Sequence, residues 1–439
     1  MSLLERVEIA QGEVARAQTS NFSKLRAGVQ EILPADKLAR LSEMGIQRAK
    51  SEVQRACVRV FEDPVWGSVS AAQKRDLTEQ IIDSLFGFGP LEDLLTDESI
   101  TEVMVNGPEH VFYERDGKLY ESNLTFSSEE QLRALIDRIL GPLGRRVDEQ
   151  CPMANARLPQ GHRVHVIMPP ISLIGPVVTI RKFSTHAFHM QDLERMGSFG
   201  PDVSTFLNWA VRLRKNIAVS GGTGSGKTTL LNAMSCEIPE YERIVTIEDS
   251  AELRFFEHPH VVSLEARPQN TEGRGLVTIR DLVINALRMR PDRIVVGECR
   301  GAEAADMLQA MSTGHDGSLT TLHANSPKEV VQRLTTMVRY SADLPVDVVE
   351  TNIASALDLI VQVARAPTGA RYLSEIATLG FDSRARKCEF VRLYSRGPLD
   401  CAGVWHEVPE WTHDVFSFGV ASEAEVREWM RKCCFARSA

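Results

Sequence analysis

The sequence predicts an α/β fold in which a parallel sheet lies between helices, preceded by a smaller α+β domain and an N-terminal helical extension. Two observations carry that prediction. Short apolar runs at 217–219, 244–247, 261–264, 294–296 and 318–322 alternate with helical stretches, the pattern of strands buried on both faces. Directly after the first run comes Ser220-Gly221-Gly222-Thr223-Gly224-Ser225-Gly226-Lys227-Thr228-Thr229, with the spacing G-x-x-x-x-G-K-[ST], and Leu230-Leu231-Asn232-Ala233-Met234 opens a helix behind it.

That strand, loop and helix form a cradle for nucleotide phosphates. Its glycines let backbone N–H groups turn inward, and the helix N-terminus adds partial positive charge. The cradle spans Gly222, Thr223, Gly224, Ser225, Gly226, Lys227, Thr228 and Thr229, with Lys227 bridging the outer phosphates. Thr228 offers a hydroxyl to Mg²⁺, an ion that takes few protein ligands and leans on phosphate oxygens.

The chain has 439 residues, and at about 150 residues per domain that length predicts two or three domains. No apolar run approaches the roughly 20 residues that span a bilayer, so no membrane insertion is expected. The start, Met1-Ser2-Leu3-Leu4-Glu5-Arg6, lacks a basic segment followed by an apolar core, which predicts a cytoplasmic location. The 8 cysteines form no C-x-x-C pair, so neither a zinc ribbon nor a disulfide framework is predicted. A net charge of −9 argues against a surface that wraps nucleic acid throughout, although a local basic channel stays compatible with it.

In chain order, residues 1–82 read as the helical extension. Val53, Val58, Val60 and Phe61 sit among lysines and arginines, and Pro34 and Pro64 mark breaks. A docking arm and a simple cap on the next domain fit equally. Residues 83–184 read as the α+β domain: a strand at 100–105, then a hairpin of 111–114 and 118–120 through Asp116-Gly117. A helix through Leu132, Leu135, Ile136, Ile139 and Leu140 follows, opened by Ser127 and Ser128 with Glu130 behind them. Strands at 163–168 and 177–181 complete the domain. Residues 185–204 show little periodicity and read as a linker that serves as a hinge; 205–439 form the α/β domain, with a tail from about 366 and a last polar helix at 423–431.

Three further segments fit nucleotide hydrolysis. The run Ile244-Val245-Thr246-Ile247 ends in Glu248 and Asp249, and ligands of parallel sheets sit at such carboxyl ends. The strand Arg293-Ile294-Val295-Val296 leads to Gly297-Glu298, and Glu298 is the candidate that orients and deprotonates water. Gly297 stands where many phosphate-loop enzymes carry an aspartate, which leaves the metal's partner open among Glu248, Asp249 and Glu298. The run 314–325 carries His315 and His323; beside the other motifs, His323 is the candidate γ-phosphate sensor.

Together these boxes resemble the secretion ATPases of type II and type IV secretion and type IV pilus systems, a RecA-like branch of the phosphate-loop ATPases, and within it the tight-adherence (Flp) pilus assembly group. Gly87-Phe88-Gly89-Pro90-Leu91, Val105-Asn106-Gly107-Pro108, Ala156-Arg157-Leu158-Pro159 and Thr179-Ile180-Arg181-Lys182-Phe183 also look like this branch. The resemblance implies a RecA-like ATPase domain behind a small PAS-like α+β domain, ATP with Mg²⁺ as ligands, and a homo-oligomer, a hexameric ring. It further implies Glu298, Glu248 and His323 as catalytic residues, Thr228 and Asp249 at the metal, and Arg163 and Arg181 as arginine fingers; Arg288 and Arg300 match the family's boxes as alternative contacts. Inner-membrane platform proteins of a pilus or secretion system are the implied partners, with the chain peripheral at the inner face of the membrane and no stable nucleic acid bound. Nothing matches the four-cysteine insertion of some extension ATPases, and Cys299 stands where apolar residues are more usual. Two rival readings remain at this stage: a nucleic-acid translocase or conjugation motor, and a nucleotide-gated scaffold without useful hydrolysis.

Overall fold

The computed structural model describes residues 21–34, 37, 46–115, 117–141, 145–158, 160–183, 188–255, 258–269 and 274–434. Contacts divide the chain into two compact units, Met1–Phe183 and Ser184–Ala439.

The first unit opens with helices over 21–32, Ile46–Val60 and Ala71–Phe86. Val53, Ala56 and Cys57 recur at helical spacing and bury with Leu25, Trp66 and Ile81; Ala49, one turn before Val53, is buried too. The third helix starts at a capping box, where Ser70 and Gln73 bond each other's backbone N–H. A six-stranded antiparallel sheet follows, in the order β3-β2-β1-β6-β5-β4. Its strands are β1 Ile100–Asn106, β2 His110–Arg115, β3 Lys118–Glu121, β4 Met153–Arg157, β5 Arg163–Ile167 and β6 Val177–Arg181. Asp116, half of the turn pair read from sequence, lies outside the described residues. Alternation puts Val103, Val105, Val164, Val166, Val178 and Ile180 on one face, against the helix Glu129–Leu140. Ser128 caps that helix by accepting the N–H of Gln131 at 3.3 Å, and the Gln131 side chain accepts the N–H of Ser127 at 2.6 Å.

The second unit is built on a nine-stranded sheet, β15-β14-β13-β12-β7-β11-β10-β8-β9. Six neighbouring strands are parallel: β12 Leu359–Arg365, β7 Ile217–Gly221, β11 Leu319–His323, β10 Arg293–Val296, β8 Ile244–Glu248 and β9 Val261–Glu265. β7 and β8 are buried at every residue because helices cover both faces, which is why their sequences do not alternate. The tail adds β13 Arg371–Asp382, β14 Lys387–Ser395 and β15 Val404–Trp405, antiparallel, to the β12 edge.

One sequence expectation is corrected here. The stretch 185–204, read as a linker, contains the helix Met190–Arg195 and the start of the helix Pro201–Arg212, with Leu193, Phe199 and Val203 buried. The first helix has six residues, too few for a 3.6-residue period to show. The chain's last helix, Glu423–Cys434, returns to the second of these: Trp429 donates through Nε1 to the Asp202 carbonyl at 2.7 Å, and Trp405 to the Asp202 carboxylate at 2.6 Å.

The N-terminal ends of the parallel strands are locked. Arg293, fully buried, donates to Glu242 at 2.5 and 3.2 Å and to the Gly317 carbonyl at 3.1 Å. Arg214 adds a second guanidinium to Glu242 at 3.2 Å. Asn216 accepts the N–H groups of Gly317 and Ser318 and donates to the carbonyls of Met311 and Ala356.

Candidate active site

β7 delivers the phosphate loop. Gly224 (φ 69°) and Gly226 (φ 94°) hold the left-handed conformation that side chains resist, and a Cβ on Gly221 would stand 2.4 Å from the Val363 carbonyl oxygen. The helix Lys227–Ser235 starts inside the motif, so its free N–H groups and dipole face the loop. Ser225 is buried and donates to the Gly222 carbonyl at 2.8 Å; Gly222, Thr223 and Gly224 are exposed, and Thr228 and Thr229 half-buried on the first helical turn. Lys227 folds back over the loop, its Nζ donating to the carbonyls of Gly221 at 3.1 Å and Gly222 at 2.8 Å.

Three neighbouring strands bring the other groups to the same edge. His323 ends β11, and its Nδ1 lies 3.5 Å from Lys227 Nζ. Glu298, two residues beyond β10, accepts from Arg300 at 2.5 Å through Oε2. Its Oε1 lies 3.1 Å from His323 Nε2, but off the direction of a hydrogen bond, so this oxygen is buried and unbonded. Burial first, then the charge of Lys227, pushes the His323 pKa below its ordinary value, against the opposing pull of Glu298. The shift favours the neutral ring, which has one donating and one accepting nitrogen.

Glu248 ends β8 and is buried. Its Oε1 accepts the N–H groups of Glu252 at 2.8 Å and Leu253 at 3.0 Å, while Oε2 is buried with no partner. Burial pushes its pKa up to about 7 even against those two donors. The glycine at 297 now has a reason: a Cβ there would meet Glu248 Cγ at 2.8 Å. The buried carboxylate at this edge therefore comes from β8, and Asp249 is exposed. Among the described residues no three His, Cys, Asp or Glu side chains cluster as a metal cage.

Arg163 and Arg181 belong to the first unit's sheet. They are direct cross-strand partners, with Arg157 opposite Arg163 and Glu102 opposite Arg181. Like charges placed opposite each other destabilise a sheet, and the Glu102 carboxylate beside Arg181 offsets part of that repulsion.

Sequence reasoning missed Arg371. At the start of β13 it donates through Nε to the Gly224 carbonyl at 3.0 Å, a contact across 147 residues that no local spacing signals. Beside it a cavity of about 260 Å³ opens against the first turn of the loop helix, walled by Phe188, Leu193, Phe199, Val363 and Tyr372.

The chain matches the type II/IV secretion system protein family over residues 85–396, most of its length. The chain belongs to that family. It is 38% identical over 330 residues to a putative conjugal transfer protein of Mycobacterium tuberculosis, covering 74% of this chain and 93% of that one. It is 34% identical over 321 residues to the type IV secretion system protein VirB11 of Brucella suis, covering 66% and 89%. Among solved structures, the pilus retraction motor PilT with bound ADP aligns with a TM-score of 0.50 at 19% identity, over 77% of this chain and 88% of that one, a likeness of fold. As a member of the family the chain is an ATP-hydrolysing enzyme of the pilus-assembly and secretion class. Among the described residues, no helix is long and apolar enough to cross a membrane.

Proposed function

We propose that this chain is the ATPase motor of a tight-adherence type pilus or a related secretion machine, working as a hexameric ring against inner-membrane platform proteins at the inner face of the membrane. The observation that carries the chemistry is the order β7-β11-β10-β8, which sets the phosphate loop, His323, Glu298 and Glu248 on four adjacent strand ends. Ligands of parallel sheets bind at that edge.

In this reading the loop N–H groups and Lys227 hold the β- and γ-phosphates, and the Thr228 hydroxyl serves Mg²⁺, which when bound neutralises phosphate charge. The unbonded Oε2 of Glu248 would hold a water of the bound metal, with exposed Asp249 beside it. Glu298 takes the proton of the attacking water, and His323 reads the γ-phosphate. The apolar cavity beside the loop helix accepts the base, with Arg371 at its rim. Arg163 and Arg181 act as transition-state cations in the assembled ring, where the triphosphate offsets their mutual repulsion.

Glu298→Gln tests the assignment. It should bind ATP as the parent does and turn over at least roughly tenfold slower; parental turnover in that variant would sink it. The conjugal transfer name of the mycobacterial relative favours a second reading, a motor that handles nucleic acid. Tight DNA binding by the purified ring with a steep salt dependence would support it; the net charge of −9 speaks against it.

A further inference from the structure

Resting on the placement of His323 beside the γ-phosphate, we infer that Gln362 is a positioning residue that sets the backbone of His323 and of the phosphate-loop strand together. Gln362 lies on β12 and is 6% exposed. Its row across the sheet runs Gln362, Ser220, Leu322, and its face is otherwise mostly apolar, with Ala218, Ile360, Leu322 and Ala324 beside the buried Thr320. A carboxamide there is costly unless its polar atoms are bonded.

Both ends of the amide are bonded, and the partners are informative. Oε1 accepts the Ser220 hydroxyl at 2.5 Å, and Nε2 donates to the Ala324 carbonyl at 3.0 Å. β7 lies between β12 and β11, so the side chain crosses one whole strand to reach the second. Ser220 precedes Gly221, whose carbonyl holds Lys227. Ala324 follows His323, at the corner where β11 leaves the sheet for the helix Pro327–Val338. Each partner is therefore one residue from a group of the site. The main-chain carbonyl of Gln362 also accepts the Ser374 hydroxyl at 3.2 Å, on the strand that carries Arg371.

Gln362 does not touch the nucleotide. Its neighbours Val361 and Val363 pack on the face of the loop helix, with Leu230 and Leu231, and strand alternation sends Gln362 to the opposite face. It acts through one peptide and one hydroxyl. The bond to the Ala324 carbonyl fixes the Ala324–Asn325 peptide, one residue beyond His323, and so the course of the chain that places the ring before Lys227 and Glu298; the bond to the Ser220 hydroxyl ties the same amide to the strand that leads into the loop.

The test uses the full chain and four substitutions, with steady-state ATP turnover, nucleotide affinity and thermal melting. Gln362→Met keeps the shape and removes both bonds; Gln362→Glu keeps the Ser220 bond and removes the donor to Ala324; Ser220→Ala removes only the other bond. Expected are a kcat about tenfold lower in the Met and Glu variants with KM within about threefold, and a smaller loss of kcat, about threefold, in Ser220→Ala, which frees only the loop strand. His323→Ala separates the two levels of the reading. Combined with Gln362→Met it should be no slower than alone, since residues that act as a unit are not additive. If Gln362→Met turns over like the parent, or multiplies with His323→Ala, Gln362 is a core residue only. If His323→Ala itself is unimpaired, the placement of His323 fails, whatever Gln362 does.

Discussion

The two ends of the parallel sheet in the second unit carry similar charge and treat it in opposite ways. At the N-terminal ends the Asn216 side chain meets four backbone groups, and Glu242 takes two guanidiniums. At the C-terminal ends two carboxylate oxygens, Glu248 Oε2 and Glu298 Oε1, are buried and unbonded, against a single ring nitrogen among the described residues, His315 Nδ1 in the turn before β11, at the other end. Native proteins seldom leave buried polar atoms unmet, and where they do the exceptions concentrate at functional sites. One end closes the fold; the other leaves carboxylate hydrogen-bonding capacity unmet.

Substitutions at the two ends should therefore fail in different ways. The largest effect is expected from Lys227→Ala, which should lose more than about a thousandfold in ATP turnover while its melting temperature moves by less than about 2 °C. If the protein unfolds instead, the two ends are not separate in kind. Next comes Glu242→Ala, which strands the buried Arg293 and should cost about 4 kcal/mol, a drop of roughly 10 °C. Turnover per folded molecule should be kept, as nucleotide-binding titration would show.

A smaller effect sharpens the contrast through pH. Glu248 has a folded pKa of about 7 against an ordinary 4.5, so folding takes up a proton between those values. The carboxyl supports the fold below that window, and the support is lost as pH rises through it, about 3 kcal/mol in all. Glu248→Gln should flatten this slope and melt higher than the parent at pH 8 in nucleotide-free buffer. An unchanged slope would mean that the carboxylate is charged and solvated. The smallest effect belongs to Arg300→Ala, because the guanidinium is 58% exposed; a twofold to fivefold loss of kcat is expected.

Motifs were legible where chemistry compels a local pattern. Phosphate binding needs glycines, a lysine and a hydroxyl within one loop, and strands buried on both faces are largely apolar, so 217–229 and five of the six parallel strands could be read directly, but not β12. Glu248, Glu298 and His323 were legible as strand-end residues. Their geometry was not, because burial of Glu248 depends on the missing Cβ at Gly297, 49 residues away. The short helix at Met190–Arg195, Arg371 and Gln362 depend on contacts distant in sequence, and no periodicity marks them.

The aromatic closure of the second unit has an optical consequence. Trp405, Trp411 and Trp429 lie 5.1, 5.1 and 5.9 Å from Phe206, and Trp209 lies 5.3 Å from Trp429. Four of the chain's 5 tryptophans thus share one cluster, leaving Trp66 alone in the first unit. Indole rings this close couple their electronic transitions. Docking of the last helix is therefore written into the protein's own near-ultraviolet dichroism and fluorescence, and its release can be followed without a label.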